Sequence, residues 1–142
     1  MATSIDVAKP ILTPDHQTFS FGGGTRGLTV RTQVCGDVFI FHCQGRLVFG
    51  DEGAIFRERV GAMLSASPNV VVSLREVEHI DSGGIGVLIG LLISARNRGG
   101  DLKLVAPNRH VIDVLRRTNL LCVFKLYDSA QQAVAIFDRS PA

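Results

Sequence analysis

Val70-Val71-Val72-Ser73-Leu74 is a short, unbroken and largely β-branched run. A strand that is apolar on consecutive positions has no face to give to water, so it belongs in a parallel sheet covered on both sides. Whatever surrounds this run must therefore supply covering helices and further parallel strands.

The flanking sequence reads that way. Leu28, Val30 and Thr32 alternate with polar residues, Gly36-Asp37 is a turn signal, and Val38-Phe39-Ile40-Phe41-His42-Cys43 is a second strand, so the two are expected to pair as an antiparallel hairpin. Gly45 and Gly50 frame a loop. Asp51 and Glu52 suit the positive end of a helix dipole, and Phe56, Val60, Met63 and Leu64 follow at helical spacing. Ser67-Pro68-Asn69 ends that helix. After Asp81-Ser82 the period becomes helical to about Asn97, and Arg98-Gly99-Gly100-Asp101 breaks it. Leu102-Lys103-Leu104-Val105 is a strand, and Pro107-Asn108 opens a helix with Val111, Ile112 and Leu115 inward. Cys122-Val123-Phe124-Lys125-Leu126 is the last strand. Ser129 and Gln132 are spaced as a capping box for a final helix carrying Ala133, Val134, Ile136 and Phe137. The predicted class is α/β: an N-terminal β-hairpin leading into a mostly parallel sheet of about four to five strands flanked by about four helices.

With 142 residues the chain is sized for one domain. Residues 1–26, with Pro10, Pro14 and Gly22-Gly23-Gly24, read as a flexible N-terminal arm or a lead-in strand; 27–138 as the ordered domain; 139–142 as a C-terminal tail. Hydrophobic residues make up 46% and charged residues 20%, a globular composition. Fifteen Lys and Arg against 13 Asp and Glu leave a net charge of +2, which offers no field for nucleic acid or an anionic membrane. No direct nucleic-acid contact and no membrane insertion are expected. The N-terminus lacks a basic start followed by an apolar run, and the apolar stretch near 85–93 is short and carries glycines, so a cytoplasmic protein is expected. Cys35, Cys43 and Cys122 are odd in number without CxxC spacing; Cys35 and Cys43 read as small buried residues.

The segment His79-Ile80-Asp81-Ser82-Gly83-Gly84-Ile85-Gly86 holds the chemistry. It lies at a strand-to-helix turn, where the first backbone N–H groups lack intrahelical partners. Ser82 or Asp81 can cap them. The same place can hold an anion, and a phosphate on Ser82 would add about −1.5 to −2 charges beside Asp81. Ser82 could then be a cap in one form and a phosphate carrier in the other. In the helix that follows, Ile85, Leu88, Leu92 and Ala95 form a core face flanked by Ile89, Leu91 and Ile93. Gly83, Gly86, Gly90 and Ser94, with Val87, fall opposite. Interior glycines each cost a helix about 1 kcal/mol relative to Ala. Two readings remain: a face kept flat for a partner, or glycines packed beneath a loop of the same chain.

Val77-Glu78-His79-Ile80-Asp81-Ser82-Gly83-Gly84-Ile85-Gly86 resembles the signature of STAS domains, the family of bacterial anti-sigma factor antagonists. Gly45-Arg46-Leu47 is similar to the family's Gly-x-Leu turn after the second strand. Arg98-Gly99-Gly100-Asp101-Leu102-Lys103-Leu104 is similar to its helix-to-strand junction, and Leu115-Arg116-Arg117-Thr118-Asn119-Leu120 with Val123-Phe124 to its third-helix end. These matches run in order over residues 27–138. The resemblance implies that Ser82 is a phosphorylation site. It implies that the unphosphorylated protein binds an anti-sigma factor, often itself a serine kinase, and so frees a sigma factor. Phosphorylation breaks that binding and a serine phosphatase restores it. The implied partner surface is Asp81, Ser82, Gly83, Gly84, Gly86, Val87, Gly90 and Ser94. Gly83 stands where many members carry a second serine, and Val48 where many carry an acid. Some members act instead as unphosphorylated scaffold subunits in stress-signalling assemblies or beside membrane-transport ATPases. A homodimer stays open.

An enzyme is the competing class. His16, His42, His79 and His110 are scattered, and neither G-x-S-x-G nor H-E-x-x-H occurs. Gly22-Gly23-Gly24-Thr25 lacks the GK[ST] of a phosphate loop. Glu76, Glu78, His79 and Asp81 could suggest metal, but alternation would put Glu76 and Glu78 on one side and Val77 and His79 on the other. No catalytic residue, metal or cofactor is expected.

Overall fold

The computed structural model describes residues 17–21, 27–105 and 108–139, with the backbone alone for 17–21, 138 and 139. Strands are β1 Gln17–Phe21, β2 Leu28–Cys35, β3 Val38–Leu47, β4 Asn69–Ile80, β5 Asp101–Val105 and β6 Leu126–Tyr127; helices are α1 Asp51–Met63, α2 Ser82–Asn97, α3 Arg109–Arg117 and α4 Ala130–Arg139. The strands form one sheet in the order β1-β2-β3-β4-β5-β6. β1–β2 and β2–β3 are antiparallel, and β3 to β6 are parallel. The α/β class and the hairpin hold, with Cys35 opposite Val38 across the Gly36-Asp37 turn. Gln17–Phe21 pairs with β2 as a lead-in strand. The rest of the expected arm (1–16, 22–26, with His16 and the Gly22–Gly24 run), Pro107 and tail residues 140–142 lie outside the described residues.

Parallel strands that follow one another across a sheet, each joined by a right-handed crossover, put all their helices on one face. The packing agrees. Phe56 and Val60 of α1, Leu88 and Leu92 of α2, and Val111 and Leu115 of α3 share one core with Leu28, Phe41, Val72 and Leu104. The terminal helix α4 crosses the opposite face, where Ala133 and Val134 meet Cys35, Val38, Ile40, Val71 and Val105.

Three expected boundaries are corrected. β3 does not stop before Gly45. Its φ of +107° lets the strand bulge and continue to Leu47, leaving only Val48-Phe49-Gly50 before α1. β4 does not end at Leu74 but runs to Ile80, its register with β3 slipping between His42 and Gln44 and between Gly45 and Arg46. Those slips replace alternation with burial at every third residue, Leu74, Val77 and Ile80, so Glu76, Glu78 and His79 are all exposed. Finally, residues 121–124 form turns instead of a strand. Asn119 sits at φ 60°, Leu120 N–H returns to Leu115 O at 2.8 Å, and Phe124 is buried as a plug ahead of β6.

Candidate functional site

β4 delivers Asp81 in an extended conformation to the start of α2, and Asp81, not Ser82, is the cap. One carboxylate oxygen accepts the Gly84 N–H at 2.9 Å and the Phe49 N–H at 2.9 Å; the other accepts Phe49 N–H at 3.1 Å. A single side chain thus closes the helix end and ties it to the β3–α1 loop. Ser82 is the first residue of α2 and is exposed, and among the described residues nothing hydrogen-bonds its hydroxyl. The dual reading of Ser82 as cap and carrier is corrected: the capping role belongs to its neighbour, which leaves the hydroxyl disengaged.

The glycines divide between the two readings. A Cβ on Gly83 would lie 2.5 Å from Phe49 Cβ, and one on Gly84 would lie 2.0 Å from Leu47 O, so both let the β3–α1 loop rest on the first turn of α2. Gly84 is buried and sits within the fold instead of on its surface. Gly90 lies under the Arg57 guanidinium, 2.7 Å from where its Cβ would stand. Gly86 has open space, and Val87 and Ser94 are half-buried.

Between α1 and α2 this arrangement leaves a groove of about 590 Å³, lined by Val48, Phe49, Gly53, Ala54, Gly86 and Val87 among others. Gly83 also lines it, which sets Ser82 at its edge. Phe49 is 84% exposed. The α1 side of this groove escapes sequence reading, because only the short loop and the Asp81–Phe49 bond bring Phe49 against α2. The available signal was an aromatic residue between Val48 and Gly50 with no helical or strand periodicity to bury it.

The other sequence candidates separate. His79 and His110 meet edge to face at 5.6 Å, and His110 Nε2 accepts the Ile80 N–H at 3.4 Å. Among the described residues no group of three or more His, Cys, Asp or Glu is placed to hold a metal. Cys35 and Cys43 are buried and Cys122 is exposed; burial pushes the Cys43 thiol up to about 12.

A model of the STAS domain matches residues 29–133. The chain belongs to the STAS domain family. A Thermotoga maritima protein provisionally named an anti-sigma factor antagonist is 40% identical to this STAS domain over 65 residues, and a Thermotoga neapolitana homologue matches over the same share. That match takes in 46% of this chain and 58% of each of these curated relatives. A crystal structure of a Thermotoga maritima antagonist, also provisionally named, aligns at 30% identity with a TM-score of 0.71, over 76% of this chain and 93% of that one. The Bacillus cell fate determinant SpoIIAA in its phosphorylated form shares the fold, with 12% identity, a TM-score of 0.58 and coverage of 84% and 98%. Among the described residues of this STAS domain, no helix is long and apolar enough to cross a membrane.

Proposed function

We propose that this STAS domain is a cytoplasmic anti-sigma factor antagonist and not an enzyme. In its unphosphorylated form it binds an anti-sigma factor that is itself a serine kinase, and so releases a sigma factor. The observation that carries this reading is Ser82: exposed, unengaged, and at the edge of the apolar groove that displays Phe49. The named Thermotoga relatives support the partner class.

The chemistry of the switch is electrostatic. The partner's ATP gives its γ-phosphoryl group to Ser82 Oγ; the bond to the bridging oxygen breaks, ADP leaves, and the hydroxyl proton passes to a base on the kinase. This domain contributes only the acceptor. The new group carries about −1.5 to −2 charges at neutral pH. It stands beside the Asp81 carboxylate, whose oxygens are held by Phe49 and Gly84 N–H groups and cannot turn away. A partner seated in the groove would have to desolvate both charges, which favours release. Hydrolysis by a serine phosphatase restores the hydroxyl.

The test uses the cognate kinase and ATP with the wild type, Ser82→Ala and Ser82→Asp. One phosphate on the wild type and none on Ser82→Ala is expected. Partner binding should survive Ser82→Ala and weaken about tenfold or more with Ser82→Asp, the loss of roughly one good charge-dependent contact. Phe49→Ala should weaken binding without unfolding the domain. Equal binding by all variants would discard the switch in favour of a scaffold subunit in a stress-signalling or transport-ATPase complex.

A further inference from the structure

Among the described residues, α4 is the one helix on its face of the sheet. Apolar residues of this face pack under Ala133 and Val134, and beside them runs a polar row. Arg31 lies opposite His42, His42 opposite Ser73, and Ser73 opposite Val105. Directly opposed residues share a face with Cβ atoms about 5 Å apart. A second row, Thr29, Gln44 and Glu76, runs beside it. Over the first row opens a cavity of about 370 Å³ lined by Arg31, His42, Ser73, Arg75, Glu76 and Ala130, with a recess of about 170 Å³ adjoining it at Thr29 and Gln44.

Two features of this cavity point to a ligand. Ser73 is only 6% exposed, lines the cavity, and makes no side-chain hydrogen bond among the described residues. Its hydroxyl opens onto the cavity, where a ligand atom can reach it. Arg31 and Arg75 have no carboxylate partner within ion-pair reach among the described residues. Arg75 donates instead to Asp128 O at 3.1 Å, which holds its guanidinium beneath the start of α4. Ala130, the first residue of that ten-residue helix, also lines the cavity; Ser129 Oγ accepts the Gln132 N–H at 3.2 Å, which leaves the Ala130 and Gln131 N–H groups as donors. Glu76, which lines both spaces, and Gln44, which lines the recess, offer acceptors.

We propose that this cavity binds a small metabolite with an oxyanion group, carboxylate or phosphate, at one end and an ammonium or hydroxyl donor at the other. Arg31, Arg75, Ser73 and the α4 N-terminus take the oxyanion; Glu76 and Gln44 take the donor. The site lies across the sheet from the groove beside Ser82 and does not depend on how that groove is read.

The full-length protein, labelled with nitrogen-15, would be titrated with acetate, inorganic phosphate and glycine while the amides of His42, Ser73 and Ala130 are followed. Saturable shifts at these amides are expected in the millimolar range. Stronger binding of acetate or of phosphate names the oxyanion. Glycine should bind more tightly than acetate, and Glu76→Gln should abolish that advantage. Arg31→Gln and Ser73→Ala should each weaken binding about tenfold or more, as loss of a hydrogen bond to a charged group does. Arg116→Gln, on α3, should leave binding unchanged. Ser73→Ala should keep or raise the thermal midpoint while losing affinity, a pairing that a structural role for the hydroxyl would reverse. No saturable shift with any probe, or binding indifferent to both Arg31→Gln and Ser73→Ala, overturns the proposal.

Discussion

The two faces of the sheet are built by different rules. On one face three helices seal an apolar core in which Phe41, Phe56, Leu88 and Leu104 are essentially without solvent contact. On the other, α4 is the one helix among the described residues, and charge enters beneath it. Lys103 is 4% exposed, paired with Asp101 at 3.1 Å and placed 4.5 Å from the centre of the Phe137 ring. The difference follows from chain order. Each crossover between sequential parallel strands is sent to the same side, so α4, which follows the last strand, is free to reach the other. The first face carries the stability. The second holds polar groups, the row Arg31, His42 and Ser73, beside the strip that α4 covers.

Phe56→Ala should break the sealed face. It leaves a cavity where α1 meets the sheet and should cost about 3–5 kcal/mol in denaturant unfolding. A loss no larger than that of a surface substitution would mean that α1 is not integral to the core.

On the shielded face, Asp101→Asn strands the Lys103 ammonium, and breaking a buried pair costs about 3 kcal/mol. Burial works to raise the Asp101 carboxyl, but the Leu102 N–H, Lys103 and Arg96 hold it below its ordinary 3.8. Because the folded value is the lower one, this contribution is complete above the ordinary value and disappears as pH falls through the folded value. Unfolding curves of wild type and variant should therefore differ most near neutrality and converge in acid. A difference that is flat with pH would remove Asp101 as its source.

The smallest effect separates the faces by access alone. A thiol reagent should label exposed Cys122 at once. Cys35, under α4, should react only as that helix opens, and Cys43 should react last, since burial denies it the thiolate. Labelling of Cys43 before Cys35 would invert the ranking of the two faces.

Local pattern revealed most of the sealed face. Phe56, Val60, Leu88, Leu92 and Leu115 announce themselves by spacing, because a helix that buries one side must repeat every three to four residues. Pattern failed where pairing overrode it. Arg75–His79 is too polar to look like a strand, yet bulged pairing with β3 holds it in one; Cys122–Phe124 looks like a strand, yet the αL turn at Asn119 folds it otherwise. The site divides in the same way. The Asp81-Ser82 turn and its glycines are local and visible. Phe49, and the role of Asp81 in fixing it, depend on residues 32 positions apart and leave no periodic trace.

Ser82 occupies the opening turn of a helix in which Gly84 and Ile85, two and three residues on, are already buried. An enzyme that reads its substrates as extended peptides cannot thread this hydroxyl into a cleft without peeling α2 off the sheet. Any catalyst acting on Ser82 must therefore recognise a folded shape and not a string of letters, and a synthetic peptide spanning His79–Gly86 should be a poor substrate even for the right one.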